Sequence, residues 1–404
     1  MLPLLAHLCA HSGFSLAMPD RIGALHPSVL LLAWTASNAQ MAFRKVAIAD
    51  LIILHEYGEP SHYQGAVSAA TALEYKTVQQ IEFTPLRKLK QGFQQRDLYK
   101  MKKELRDALL LAFWTLFPRA LAGKTVILGI APIDWRIIFL VHALAHARVI
   151  YHSSWTDWGG ERYAKNPPAA RKTVRKVWSY FLTRRVECFA LVTPRVAEEL
   201  ERQFGISRER TYVVFQSYNQ HIFQPARECD ASPLKVIFAG RLDASKGVAD
   251  VVELARRLPS VEFALVGNGP LKKSIETCGL PNVRLLGVVE DRAILSSIFS
   301  EHHVVVLPSK RTTVWEELFG MVLVEAMACG CIPMATDHPG PRTIIRDADL
   351  REFVFAEEEF LDHAESALRK LDTRRLRILK QKAIEESRRF AVSEIEKIWV
   401  KILQ

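Results

Sequence analysis

Two carboxylates eight positions apart, Glu317 and Glu325, bracket the segment best equipped for chemistry, TTVWEELFGMVLVEAMACG at 312–330. From Met321 to Met327 every residue except Glu325 is apolar, the pattern of a helix buried on all sides. A lone carboxylate there is costly, so Glu325 requires a hydrogen-bond partner. Glu317 precedes Phe319-Gly320, the turn expected to open the helix, and the free N–H groups of a helix start attract anions and phosphates. An outer carboxylate, a ring of amides and an inner carboxylate suit a phosphorylated, hydroxyl-rich ligand such as a nucleotide sugar. The structural alternative is a core helix whose Glu325 pairs with a protein donor.

A complementary charge lies upstream in VIFAGRLDASKG, residues 236–247. Here a strand runs into a turn at Gly240 and then a helix, with Ser245 available as its cap. Arg241 and Lys246 then flank the carboxyl end of the strand, where open α/β sheets bind ligands. Two cations there suit a pyrophosphate, and a guanidinium can hold two oxygens at once. An isolated Arg and Lys would more simply be a solvated pair. FALVGNGPLKKSIE repeats the strand–glycine–helix plan with Gly267 and Gly269, but lacks the third glycine and downstream acid of a dinucleotide fingerprint. Asp347-Ala-Asp349 has the spacing of a metal-binding acid pair, yet follows a helix late in the chain, where a surface loop is expected.

These residues need strands to carry them. KVAIADLIIL, TVQQIEF, TVILGI, RVIYH and CFALVTP read as strands of a first half; KVIFAG, VEFALVG, NVRLLG, HVVVLP and CIPMAT read as strands of a second. Several are continuous apolar runs, as parallel strands covered on both faces require. Alternation with helical patterns predicts two doubly wound α/β domains, divided within the polar stretch 217–233. The apolar run 125–155 is broken by Asp134 and Arg136, so strand–helix–strand is expected rather than a membrane span.

Glu317-x7-Glu325 with Phe319-Gly320 and EAMACG resembles the signature of GT-B fold retaining glycosyltransferases of family 4, most strongly across about 234–345. The resemblance implies two Rossmann-like domains facing across a cleft: an acceptor-binding domain over 41–217, a nucleotide-sugar domain over 218–388, and a terminal helix, 389–404, packing back on the first. It implies catalytic roles for Arg241 and Lys246 on the donor diphosphate, Glu317 on the donor sugar and His152 at a strand end facing the sugar. Glu325 would meet the ribose. Gly240, Gly267, Gly269, Val288, Phe319, Gly320 and Met321 would line the donor pocket, with the Gly287-Val288 backbone at the base. Gly65, in YQGAVSAATAL, would face the donor phosphates, although Gln64 replaces the second glycine of the usual pair. Asp157 is a candidate acceptor contact and Arg342 a candidate phosphate or acceptor ligand. No cofactor and no metal are expected, the nucleotide-diphosphate sugar serving as co-substrate. A lipid-linked glycan in surface polysaccharide or glycolipid synthesis is the implied acceptor. A sugar-nucleotide epimerase and a non-catalytic binding protein are the alternatives on the same fold; the first would release sugar without an acceptor, and intact Glu317, Arg241 and Lys246 speak against the second.

The 404 residues suffice for two cores, and 49% hydrophobic with 24% charged residues is ordinary for a globular chain. A net charge of +10 is not, and implies an anionic partner. Basic tracts at 86–106 and 171–185, interleaved with apolar residues, point to an anionic membrane surface, with the apolar faces packed inward and the cations toward lipid phosphates. No nucleic-acid motif is present. Six scattered cysteines without metal-ligand spacing read as reduced thiols of a cytoplasmic protein, peripheral on the inner face of the plasma membrane. Residues 1–40 read as a non-native or disordered extension before a native start at Met41.

Overall fold

The computed structural model describes residues 51–55, 60–83, 98–156, 158, 171–226, 232–313 and 315–404. Two six-stranded sheets, parallel throughout, organise them. The first contains β1 (Leu51–His55), β2 (Val78–Glu82), β3 (Thr125–Gly129), β4 (Arg148–Ser153), β5 (Val186–Leu191) and β6 (Thr211–Val213), in the order β2-β1-β3-β4-β5-β6. The second contains β7 (Lys235–Ala239), β8 (Glu262–Val266), β9 (Val283–Gly287), β10 (Val304–Leu307), β11 (Ile332–Thr336) and β12 (Val354–Phe355), in the order β12-β11-β10-β7-β8-β9. The apolar runs read from the sequence map onto ten of these strands. β6 and β12 escaped that reading because three and two residues carry no periodicity. The upstream part of the first expected strand, 45–50, lies outside the described residues, as does the extension 1–40.

Strand order fixes where ligands can enter. In the first sheet the chain runs outward from β1 to β2 and returns to β3 on the other side of β1. In the second it runs from β7 through β8 to β9 and returns to β10 on the other side of β7. The connections leaving β1 and β3, and those leaving β7 and β10, therefore diverge. A crevice opens between them at the carboxyl ends of the strands.

Each sheet is buried by apolar side chains, and the central residues of β1, β3, β4 and β10 are almost wholly inaccessible. Beneath β4 and β5, Tyr151 meets the rings of Trp158 and Trp178 edge-on at 5.8 Å each. Asp134 and Arg136 pair with each other, Nε to Oδ1 at 2.9 Å, in the turn before the helix Ile137–Ala143, so the run 125–155 is strand–helix–strand. Among the described residues no helix is long and apolar enough to cross a membrane. The described cysteines, Cys188, Cys278, Cys329 and Cys331, are free thiols.

The chain passes between the halves twice, and the two passages bond to each other. The Tyr218 N–H donates to Phe390 O at 3.0 Å and the Val392 N–H to Tyr218 O at 3.0 Å. The rings of Phe215, Phe319 and Phe390 close over this junction. The last helix, Val392–Leu403, then lies against the first sheet's helix Gln64–Ala72. There Ser68 Oγ donates to Glu396 at 2.5 Å, Tyr75 to Leu403 O at 3.0 Å, and Ile395 and Trp399 join the core of the first half.

Gly65 sits at this helix–helix contact. A Cβ there would lie 2.9 Å from Ile395 Cγ2 and 3.1 Å from Trp399 Cδ1. The structure thus gives Gly65 a packing reason of its own: only a glycine lets the two helices approach. Gly65→Val should therefore destabilise the fold by about 1–3 kcal/mol through overpacking, read by chemical denaturation. Unchanged stability with lost nucleotide binding would return Gly65 to the ligand.

Candidate functional site

The site grows at the β7/β10 crevice. Three connections, after β7, β8 and β9, are stitched by backbone bonds: Gly240 N–H to Val266 O at 2.9 Å, Leu242 N–H to Asn268 O at 2.9 Å and Gly267 N–H to Gly287 O at 2.7 Å. Gly267 has φ of 140°, and a Cβ there would run into the Gly240 carbonyl. Gly269 abuts the Leu242 backbone in the same way. The glycines of the donor-pocket pattern thus first serve close approach of one loop to the next. Val288, beyond β9, is exposed.

The loop after β7 is held by Asp243, not by Ser245 as the sequence suggested. Asp243 Oδ1 accepts from Lys246 N at 3.1 Å and from Ser245 Oγ at 2.7 Å, capping the short turn Ala244–Lys246. Ser245 falls inside that turn, and Gly247 rather than a side chain opens the helix Val248–Arg257. The turn aims Lys246 across the crevice. Its Nζ lies 2.5 Å from Glu317 Oε2 and 4.6 Å from the centre of the Trp315 ring. Both charged side chains are largely buried, at 17% and 10% exposure, so the pair is shielded from screening. Arg241 is the opposite case. It is 65% exposed and only loosely paired with Asp243, at 3.4 Å, and is free to meet an incoming anion.

Glu317 is fixed from three further sides. Ser309 Oγ donates to Oε2 at 3.0 Å. Its backbone N–H donates to His338 Nδ1 at 3.1 Å, and its carbonyl accepts from Gly340 N at 3.1 Å. His338 is completely buried and donates Nε2–H to Ser309 O at 2.9 Å, with Glu357 Oε1 at 3.1 Å. Burial, followed by the Arg311 charge, pushes the His338 imidazolium equilibrium below its ordinary value. The ring is thus neutral, with Nδ1 as acceptor. His338, which the sequence did not single out, is thus the side chain after β11 that touches Glu317. Arg342 instead pairs with Asp337, and that guanidinium, first among the causes, holds the Asp337 carboxyl below its usual range.

The helix Met321–Ala328 begins at Gly320, with φ of 97°. Glu325 is buried, and its partner is Arg292, whose guanidinium also lies 4.9 Å from the Phe223 ring centre. The partner that the sequence demanded thus comes from the helix Arg292–Ser300, a contact no spacing in the sequence reveals. Phe319 points into the aromatic junction, so its side chain is structural and only its backbone faces the loop. Met321 is half-buried against the second core.

His152 is the penultimate residue of β4, at the other crevice, between β1 and β3. It lines a cavity of 140 Å³ with His55, Tyr63, Gly129, Trp155 and Gln216. Its ring lies 5.0 Å from Tyr63 and 6.1 Å from Trp399, and burial, with the His62 charge second, pushes its pKa down to about 3. It is therefore a neutral hydrogen-bonding group. The structure joins Lys246 to Glu317 and leaves His152 in the other half. The two halves do meet beside the site, where Thr156 Oγ1 donates to Glu316 Oε1 at 3.1 Å, both side chains buried. Asp157 lies outside the described residues. Asp347 and Asp349 are engaged elsewhere: Asp347 caps the turn Ala348–Arg351, and both pair with Lys382, at 3.2 and 2.5 Å.

The Glu317–His338 bond makes a prediction. His338→Leu leaves the Glu317 N–H buried without an acceptor, costing about 1–3 kcal/mol, whereas His338→Asn retains an acceptor near the Nδ1 position. Because the folded-state pKa of His338 is depressed, its contribution is complete above the unfolded value of about 6.5 and is lost as pH falls below it. Thermal melts across pH should show a shallower acid limb in both variants and a lower Tm at neutral pH chiefly in the Leu variant.

The half that carries the Lys246–Glu317 pair matches a known family model. Residues 221–389 match the family model for Glycosyl transferases group 1. The D-inositol 3-phosphate glycosyltransferase of Xylanimonas cellulosilytica is 29% identical over 179 residues, 38% of this chain and 42% of that protein. The phosphatidyl-myo-inositol mannosyltransferase of Mycobacterium tuberculosis is 32% identical over 142 residues, 33% of this chain and 36% of that protein. The chain thus spans less than half the length of the curated relatives it matches. Anabaena Alr3699/HepE, solved in complex with UDP, superposes over 87% of this chain and 99% of its own with a TM-score of 0.64 at 16% identity. The fold is GT-B, and residues 221–389 are similar to the Glycosyl transferases group 1 family.

Proposed function

We propose that this protein is a retaining, metal-independent glycosyltransferase of family 4. It moves a sugar from a nucleotide-diphosphate donor to an acceptor, a lipid-linked glycan, at the inner face of the membrane. The observation that carries the reading is the Lys246–Glu317 pair at the β7/β10 switch point, with exposed Arg241 beside it. The relatives named for sugar transfer to inositol-containing acceptors, and the neighbour that binds UDP, support it.

The geometry suggests a sequence of events. An incoming diphosphate competes with Glu317 for Lys246 and draws in Arg241. Glu317, still held by Ser309 and its backbone, then turns its released lone pairs to hydroxyls of the donor sugar. As the bond between the anomeric carbon and the phosphate oxygen breaks, Arg241 and Lys246 offset the charge gathering on the diphosphate, the largest rate term invoked here. The acceptor oxygen attacks from the same face, and its proton passes to the departing phosphate oxygen. Glu325 serves the ribose. Neutral His152 offers a hydrogen bond to the sugar from the opposite half once the crevice closes, and the acceptor occupies the first half. A donor panel assayed for nucleotide diphosphate release, with and without membrane extract, tests the assignment. Acceptor-independent release of free sugar would favour the epimerase instead.

Arg241→Ala and Lys246→Ala should each lower turnover by about a hundredfold or more, as loss of transition-state charge stabilisation does. Their stabilities should differ. Arg241 is exposed and its loss should leave Tm unchanged, but Lys246→Ala strands a buried carboxylate and should lower it. Arg241 is open to solvent, whereas Lys246 is largely buried against Glu317. Near-normal turnover in both variants would remove them from the mechanism.

Activity should also survive EDTA, since the diphosphate partners are side-chain cations and loop amides. An absolute requirement for magnesium or manganese would sink the metal-free reading.

A further inference from the structure

The helix Leu98–Leu116 is turned the unexpected way round. Leu98, Leu105, Leu109 and Leu116 recur at spacings that place them on one helical face, and that face is exposed, by 51–73%. The opposite face buries Glu104 and Asp107 together with Leu110 and Trp114. This corrects the expectation that the apolar face of the first basic tract packs inward, while the earlier part of that tract, 86–97, lies outside the described residues. The acids go in because Lys103 and Arg106 fold over them, with Arg106 Nη2 at 2.8 Å from Asp107 Oδ1.

The stripe is not isolated. The short helix Ile137–Ala143 packs beside it and exposes Ile138 and Phe139, with Trp135 just before. The helix Arg171–Tyr180 follows on the far side. It buries Val174 and Trp178 as the sequence indicated, and exposes Tyr180. Of the thirteen large apolar side chains exposed among the described residues, eight lie on these helices and two, Phe117 and Trp135, directly flank them. A contiguous exposed apolar patch of this kind marks an interaction surface.

Charge selects the occupant. Lys102, Arg106, Arg171, Lys172, Arg175 and Lys176 are exposed on the same helices, and the only carboxylates those helices carry, Glu104 and Asp107, are buried. We infer that this three-helix face docks on an anionic bilayer, the leucine stripe and Phe139 entering the acyl boundary while the cations meet lipid phosphates. A second copy of the chain fits poorly, because an isologous dimer would press this cationic face against itself. The inference deepens the lipid-linked acceptor reading, on which its role in acceptor delivery rests.

Cosedimentation of the full chain with phosphatidylcholine vesicles, and with vesicles enriched in phosphatidylglycerol, tests it. The protein should bind the anionic vesicles and leave the neutral ones. The triple variant Leu105→Ser, Leu109→Ser, Phe139→Ser should lose tenfold or more in binding with Tm unchanged, since all three side chains are exposed. Arg175→Gln with Lys176→Gln should weaken binding and reduce its sensitivity to salt. Equal binding to both vesicles, no binding to either, or a triple variant that binds as the parent does would overturn the inference. So would light scattering that shows a dimer which the triple variant dissolves. No donor or acceptor enters the assay, so vesicle binding without turnover on any donor would refute the transferase and leave the membrane face standing.

Discussion

The buried contact between Lys246 and Glu317 is the constraint on which the candidate site depends. A charge pair this buried is useful only when neither partner can relax into water, and breaking it by removing one partner leaves a stranded charge. Much of the surrounding architecture meets that condition. Asp243 shapes the turn that aims Lys246. Trp315 covers the ammonium. Ser309 and His338 hold the carboxylate and its backbone from behind. The two partners come from the connections that diverge at the β7/β10 switch point, so strand order itself brings them face to face.

The same logic extends to the backbone. The loops after β7, β8 and β9 lie close enough to bond main chain to main chain, which only residues without a Cβ permit at Gly267 and Gly269. What looks in sequence like a ligand motif is also a packing device, and the two roles are compatible: loops tied to one another present their free amides in fixed positions. The aromatic junction of Phe215, Phe319 and Phe390 does the equivalent for the two halves. It pins the turn between Glu317 and the helix Met321–Ala328 to the two passages where the chain crosses. Thr156 and Glu316 add a buried bond between the halves one residue from Glu317, so a change in their separation is felt at the site.

The strands were legible because parallel β-strands covered on both faces are written as apolar runs, and ten of the twelve follow such runs. β6 and β12 were not, because strands that short are made by their neighbours rather than by their own pattern. Glu325 shows the limit at the site. Burial in an apolar helix announced that a partner must exist, but Arg292 lies on another helix, and nothing local in the sequence links them. His338 shows the same limit from the other side. Its role depends on where the chain after β11 lands, against Ser309 and Glu317.

The sequence by itself determined the fold class, the division into two sheets and the candidate cations and carboxylates, because these follow from periodicity, composition and local spacing. Tertiary structure alone decided which charges meet. It paired Lys246 with Glu317 while leaving Arg241 exposed, gave Asp347 and Asp349 to Lys382, and put Gly65 against the last helix. It also turned the leucines of Leu98–Leu116 outward and its carboxylates inward, against the usual amphipathic rule. The physical reason is common to all of these. Periodicity states that a helix has two unlike faces, but which face is buried, and beside which charge, is settled by elements far away in the chain.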